Sequence, residues 1–198
     1  MIKTSQNLIT EFAGEYAQPY HHLAFLEKNG TIFKLRRGIY ETDKDADPLT
    51  LAAEIVGPSY LSFETALSYY DLIPERSVIL LSASFLLHKK KRFTNRFGTF
   101  VYQDVPAKAY PFGTRYEDSN GRKFEIATPE KALCDTLCKT KVLKNVEELK
   151  TWLYSFMRME ETDVLSLDQE AIESWRTLYG KKNVALLADY LKGEKKHG

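Results

Sequence analysis

Four histidines, two cysteines and several groups of carboxylates are the residues of this 198-residue sequence that could act in covalent or metal chemistry. A hydrolase of the triad kind needs a nucleophile, a histidine base and a group that orients the base. His21 and His22 adjoin each other near the N-terminus with no paired nucleophile, His88 sits inside a basic run, and His197 is in the tail. Cys134 and Cys138 are four apart in a stretch that reads as a helix. That spacing suits small core side chains beside Leu133 and Leu137, and neither a zinc site nor a disulfide framework. A metal-dependent nuclease gathers carboxylates around a divalent cation, with a lysine near the attacking water. Asp104, Glu117, Asp118 and Glu125, with Lys123, are the candidates, but no Glu-x-Lys or Asp-x-Lys stands among them. Asp118 also lies beside a tight turn, where aspartate serves the backbone. A nucleotidyltransferase places a Gly-Ser turn ahead of an Asp-x-Asp pair. Here Asp43-Lys44-Asp45 and Asp45-Ala46-Asp47 precede the only candidate turn, Gly57-Pro58-Ser59, and no Gly-rich phosphate loop is present. These residues predict no enzyme, no metal and no cofactor, with a metal-dependent nuclease as the remote alternative.

Charge points elsewhere. The chain carries 28 basic and 27 acidic residues, yet residues 76–131 hold 11 basic against 5 acidic. That middle third includes His88, Lys89, Lys90, Lys91 and Arg92, with Arg96 close behind. On one surface, such a block could neutralise several phosphates; otherwise it is a solvated loop. Residues 1–75 are acidic overall, but the stretch from Lys28 to Tyr40 contains Lys28, Lys34, Arg36 and Arg37 and no acid. A groove-binding element needs such a concentration of positive charge on one small projection.

Hydrophobic periodicity supplies the elements that position these residues. Leu8, Ile9 and Phe12 fall at helical spacing in Ser5–Ala13, closed by Gly14. Pro19 can open a second helix that Asn29-Gly30 stops, and Thr31–Tyr40 reads as a β-ribbon broken at Gly38. Helix, helix and basic ribbon in that order are the parts of a winged helix-turn-helix, with the helix bearing His21, His22 and Lys28 nearest the base edges. Asp47-Pro48 and Ser62 each cap a scaffold helix. Val78–Leu81 and Gly98–Val105 read as strands, and Thr114–Ile126 as a hairpin turning at Asn120-Gly121. Thr128-Pro129-Glu130 starts a further helix, followed by amphipathic segments over 146–157, 169–178 and 183–191. The expected class is α+β: a winged-helix-like, abbreviated DNA-binding region over 1–44, then a mixed domain over 45–198 with an antiparallel sheet and a helical tail from about 140. Composition is that of a globular chain, 43% hydrophobic and 13% aromatic. The longest uncharged apolar stretch, Ser77–Leu87, is about half a bilayer span, and Met1–Glu11 has no apolar signal region, so a cytoplasmic chain without membrane contact is expected.

Three stretches in order carry a resemblance: Lys34-Leu35-Arg36-Arg37-Gly38-Ile39-Tyr40, Pro58-Ser59-Tyr60-Leu61-Ser62-Phe63-Glu64-Thr65-Ala66-Leu67 and Ala127-Thr128-Pro129-Glu130-Lys131-Ala132-Leu133-Cys134-Asp135, supported by Gly98-Thr99-Phe100 and Tyr102. Together they are similar to the AbiEi-type antitoxins of bacterial abortive-infection (type IV toxin-antitoxin) systems, over about Pro19 to Asp135. The resemblance implies a winged-helix DNA-binding region, repression of the protein's own operon through operator DNA, and a larger domain opposing a nucleotidyltransferase toxin without a stable complex. The DNA contacts would then fall to His21, His22, Lys28, Lys34, Arg36 and Arg37. Lys89, Lys90, Lys91, Arg92 and Arg96 would form a separate basic patch for neutralisation, with RNA as a further partner class. The region before Gly30 holds two short helices where a full winged helix-turn-helix has three. An alternative is an interaction module that does not bind DNA and neutralises its target through the basic middle region.

Overall fold

The computed structural model describes residues 1–75 and 78–194; Arg76, Ser77 and the end of the chain, with Lys195, Lys196 and His197, lie outside the described residues. The N-terminal part runs β1 (Ile2–Thr4), α1 (Ser5–Ala13), α2 (Pro19–Lys28), β2 (Phe33–Arg36), β3 (Ile39–Glu41), and its three strands form an antiparallel sheet in the order β1-β3-β2. Thr4 caps α1 by accepting from the Asn7 N–H, and Pro19 starts α2, where its missing N–H is harmless. The ribbon turns at Gly38, whose φ of +82° suits glycine, and the Gly38 carbonyl accepts from the Ser5 N–H at 2.9 Å. That bond ties the turn to the start of α1.

The alternation of this small sheet sorts its residues onto two faces. Tyr40, flanked in register by Lys3 and Lys34, faces the helices, where it joins Leu8, Leu23 and Ile32 in a small core of its own. The two lysines reach helix acids on that side, Lys3 to Glu11 at 2.6 Å and Lys34 to Glu27 at 3.6 Å. On the other face, Leu35 enters the main core, and Phe33 packs edge-on against Phe97. Glu41 is wholly buried there and accepts two hydrogen bonds from Arg122 at 2.6 and 3.1 Å, besides one from the Met1 amine. The ribbon is therefore backed by the larger domain along most of its length.

Burial would raise the Glu41 carboxyl, but bonds from Arg122, the Met1 amine and the Asp43 N–H outweigh it and hold it at about 2, against an ordinary 4.5. A carboxyl lowered on folding stabilises the folded state fully above its ordinary value and loses that stabilisation as the pH falls toward 2. Arg122→Ala is expected to cost about 3 kcal/mol at neutral pH. It should also flatten the loss of stability below pH 4.5, read from urea midpoints across that range. Parallel pH profiles for variant and parent would contradict the junction.

The larger domain opens with a 3-10 turn at Pro48–Leu51 and α3 (Ala52–Ile55), then β4 (Ser59–Leu61) and α4 (Phe63–Tyr69). Four strands and a hairpin partner follow: β5 (Ile79–Ser84), β6 (Lys91–Asn95), β7 (Gly98–Asp104), β8 (Thr114–Ser119) and β9 (Arg122–Ala127). They assemble with β4 in the order β6-β7-β5-β4-β9-β8. The α+β class stands. Within this sheet the β6–β7, β4–β5 and β8–β9 pairs are antiparallel, whereas β5–β7 and β4–β9 are parallel, because β7 and β9 reach their partners by crossing over intervening elements. One face is covered by α3 and the N-terminal sheet: the Tyr102 hydroxyl donates to the Ala52 carbonyl at 2.6 Å, and the Asn95 amide to the Leu35 carbonyl at 3.1 Å. α4 and α5 (Pro129–Lys139) cover the other. The tail adds α6 (Val146–Lys150), continued as a π-helical stretch at Thr151–Phe156, then α7 (Glu161–Ser166), α8 (Gln169–Tyr179) and α9 (Lys182–Glu194). No helix among the described residues is long and apolar enough to cross a membrane.

Candidate nucleic-acid interface

Helix α2 leaves Tyr20, His21, Phe25 and Lys28 exposed. At 100° per residue these positions lie within one broad face. His22, one step round, is half-buried: its ring stacks on Tyr16 with centroids 3.6 Å apart and meets Phe12 edge-on at 4.8 Å. Of the two expected histidines, His21 is open to solvent, whereas His22 is engaged in aromatic packing. His21→Ala is expected to weaken binding to operator DNA more than to unrelated DNA. His22→Ala should instead lower the stability of the N-terminal part by about 1 kcal/mol and weaken both DNAs alike. Titrations of both variants on the two duplexes, with melting curves alongside, distinguish these outcomes.

In the ribbon, Arg36 and Arg37 are exposed at and beside the turn, and neither makes an ion pair among the described residues. A bulge between Lys34 and Arg36 brings Arg36 opposite Ile39 on the side of the larger domain, close enough for its charge to act on the Tyr102 hydroxyl. Lys34 lies at the opposite end of β2, engaged with Glu27 on α2. Two cationic groups result, Lys28 with Lys34 at one end and Arg36 with Arg37 at the other.

The basic block does not form a single surface. Lys89 and Lys90 are in the loop before β6, but Lys91 and Arg92 belong to the strand itself, opposite Tyr102 and Val101, so their side chains leave on opposite faces. Arg96 departs furthest from the expected patch. Its guanidinium sits over the Phe33 ring, 4.0 Å from the centroid, and 5.5 Å from that of Phe97, joining the two parts of the chain.

The carboxylates weighed for metal chemistry are dispersed. Asp104, on β7, accepts from Ser84 and from the Leu87 and His88 N–H groups. Three strands separate it from β8, which is roughly 19 Å at the usual strand spacing. Glu117 pairs with Arg115, Asp118 closes the turn through the Gly121 N–H, and Glu125 accepts from Thr114. Among the described residues no three His, Cys, Asp or Glu side chains converge as a metal site. Burial pushes the thiols of Cys134 and Cys138 up, away from reactivity.

One dense cluster of polar groups lies outside every expectation. Lys131 and Asp135, one turn apart on α5, are both fully buried with their charged atoms 3.2 Å apart. The Lys131 ammonium donates to the Ala109 carbonyl and the Tyr179 hydroxyl, each at 2.8 Å. Asp135 accepts from Tyr60 at 3.0 Å, from Ser62 at 2.7 Å and from Tyr179. Burial and then the Asp135 charge raise both tyrosine hydroxyls far above their ordinary range. Ser62 stands at the expected cap position of α4, but its hydroxyl serves Asp135 and makes no cap bond. Packing beside the network leaves no room for a side chain at Gly113: a Cβ there would meet the Trp175 ring at 2.6 Å and Lys131 Cβ at 2.9 Å. Tyr60 and Ser62 come from one motif and Lys131 and Asp135 from another, and none is reachable by a solute. The network fastens β4 to α5 and α8. Tyr179 gave no sequence signal, being 44 residues from its carboxylate partner.

The chain matches no protein-family model and no curated protein.

Proposed function

We propose that this chain is a DNA-binding antitoxin and autorepressor of a bacterial type IV toxin-antitoxin operon, acting in the cytoplasm against a nucleotidyltransferase toxin and forming no stable complex with it. The observation that carries the reading is the N-terminal order β1-α1-α2-β2-β3 with its sheet order β1-β3-β2. This order supports reading the region as a winged helix-turn-helix without its first helix, in which α2 would take the role of the helix that enters the major groove. Arg36 and Arg37, exposed and without an ion pair among the described residues, support phosphate contact from the ribbon turn. No catalytic step is assigned to the chain.

A second reading, an interaction module that does not bind DNA, has one observation in its favour. Leu35 is part of the main core and its carbonyl is held by Asn95, so only the turn of the ribbon is free to reach a duplex. On this reading neutralisation runs through the basic middle region.

Replacing Lys89, Lys90, Lys91 and Arg92 together with serine separates the two activities. With melting temperature unchanged, the variant is expected to lose growth rescue in cells expressing the nucleotidyltransferase from the adjacent gene while retaining operator repression. Full rescue would return the block to a solvated loop and strand edge. A wild-type chain that neither represses its own promoter nor rescues growth would remove the antitoxin reading altogether.

A further inference from the structure

The groove between the end of α5, the 140–145 connection and the π-helical stretch has a composition that the DNA-binding reading leaves unused. It encloses about 560 Å³, and its lining includes Gln103, Lys139, Lys141, Lys144, Trp152 and Phe156. An adjoining hollow of about 620 Å³ shares Trp152 and Phe156 with it, so the two rings stand where the hollows meet. Both volumes fall in the range of sites that hold a small organic ligand. We propose that this trough binds single-stranded nucleic acid, stacking unpaired bases on Phe156 and Trp152 while Lys139 and Lys141 hold the phosphates.

Each part of that assignment rests on a distinct feature. Phe156 is 72% exposed, so its ring is accessible to a flat apolar partner. Lys139 and Lys141 have no ion pair among the described residues, whereas Lys144 lies 3.7 Å from Glu148. With Lys139, Lys141 and Lys144 against Glu64 and Glu148, the lining of the groove carries a net positive charge. The connection that presents Lys141 is fixed from below. Buried Asn183 donates to the carbonyls of Leu137, Thr140 and Lys141 at 3.1, 3.2 and 3.1 Å and accepts from the Leu143 N–H at 2.8 Å. The backbone that carries Lys141 is therefore ordered before any ligand arrives, which lowers the entropy lost on binding. The π-helical turn, closed by the Met157 N–H on the Trp152 carbonyl, is a local irregularity of the sort that recurs at binding sites. Aromatic platforms interleaved with lysines read the face of a base, which a duplex hides and a single strand offers.

The test uses the full chain with fluorescein-labelled 12-nucleotide oligouridine, the matching oligothymidine and a 12-base-pair duplex. The chain has two tryptophans, and Trp175 is buried, so quenching of tryptophan emission reports on Trp152. Saturable quenching is expected with a single strand, whereas the duplex, held at the N-terminal part, should raise anisotropy without quenching Trp152; the ratio of RNA to DNA affinity names the natural strand. Phe156→Ala, at an exposed position that folding tolerates, and the double change Lys139→Ser with Lys141→Ser should each weaken binding roughly tenfold. Arg36→Ala with Arg37→Ala should leave it unchanged. Absent quenching, parental affinity in both groove variants, or adenosine monophosphate binding as tightly as the oligonucleotides would overturn the proposal.

Discussion

Asp135→Ala is expected to destabilise the fold by about 4 kcal/mol, enough to unfold much of the population of an ordinary domain at 37 °C. The change strands the Lys131 ammonium, which is 0% exposed, and removes the acceptor for the hydroxyls of Tyr60, Ser62 and Tyr179. A buried cation without a counter-charge is the dominant loss, because the Ala109 carbonyl and the Tyr179 hydroxyl, both neutral, cannot replace a carboxylate. Removing both charges with Lys131→Met and Asp135→Leu should therefore recover a large part of the loss, since apolar groups of similar volume need no partner. Tyr179→Phe should cost less, about 1 to 2 kcal/mol, as it deletes hydrogen bonds and leaves the ion pair standing. Urea midpoints of the three variants order these effects. An Asp135→Ala protein within about 1 kcal/mol of the parent would contradict the network.

Much of the scaffold was legible because periodicity and caps agreed with packing. Thr128-Pro129-Glu130 opens α5, with the Thr128 hydroxyl accepting at the cap, and Asn120-Gly121 turns the β8–β9 hairpin with positive φ at both residues. β4 escaped notice because three residues, Ser59, Tyr60 and Leu61, are too few to show a period, although the sheet flanks them on both sides. β6 was hidden by its charges. Lys91 and Arg92 read as a loop, yet they occupy an edge strand, where lysine and arginine discourage pairing with other chains. β1 has one apolar residue, Ile2, and becomes a strand only because β3 is there to pair with it. In the candidate interface, sequence identified the cations of the ribbon but not their backing. That Leu35 would join the larger core, or that Arg96 would stack on Phe33, depends on contacts 60 residues apart that no local pattern encodes.

Lys28→Ala, Arg36→Ala and Arg37→Ala combined are expected to weaken binding to the DNA upstream of the protein's own reading frame roughly a hundredfold at 100 mM salt. All three side chains are exposed, so folding should be unaffected. Lys28 lies in the last turn of α2, while Arg36 and Arg37 bracket the approach to the ribbon turn, so together they span the length of the N-terminal part. Lys34 is left in place because its bond to Glu27 fastens β2 to α2. A drop of the same size on operator and unrelated duplexes is the expected pattern, since phosphate contacts carry position and little sequence information.

The most direct measurement follows the affinity of the wild-type chain for that upstream duplex and for a scrambled duplex of the same composition between 50 and 200 mM salt, with the triple variant alongside. The account predicts tighter binding to the upstream duplex by about a thousandfold or more, a linear fall of log affinity with log salt, and a slope shallower by about three in the variant. Equal affinity for the two duplexes at every salt concentration, or a slope untouched by loss of Lys28, Arg36 and Arg37, would contradict it.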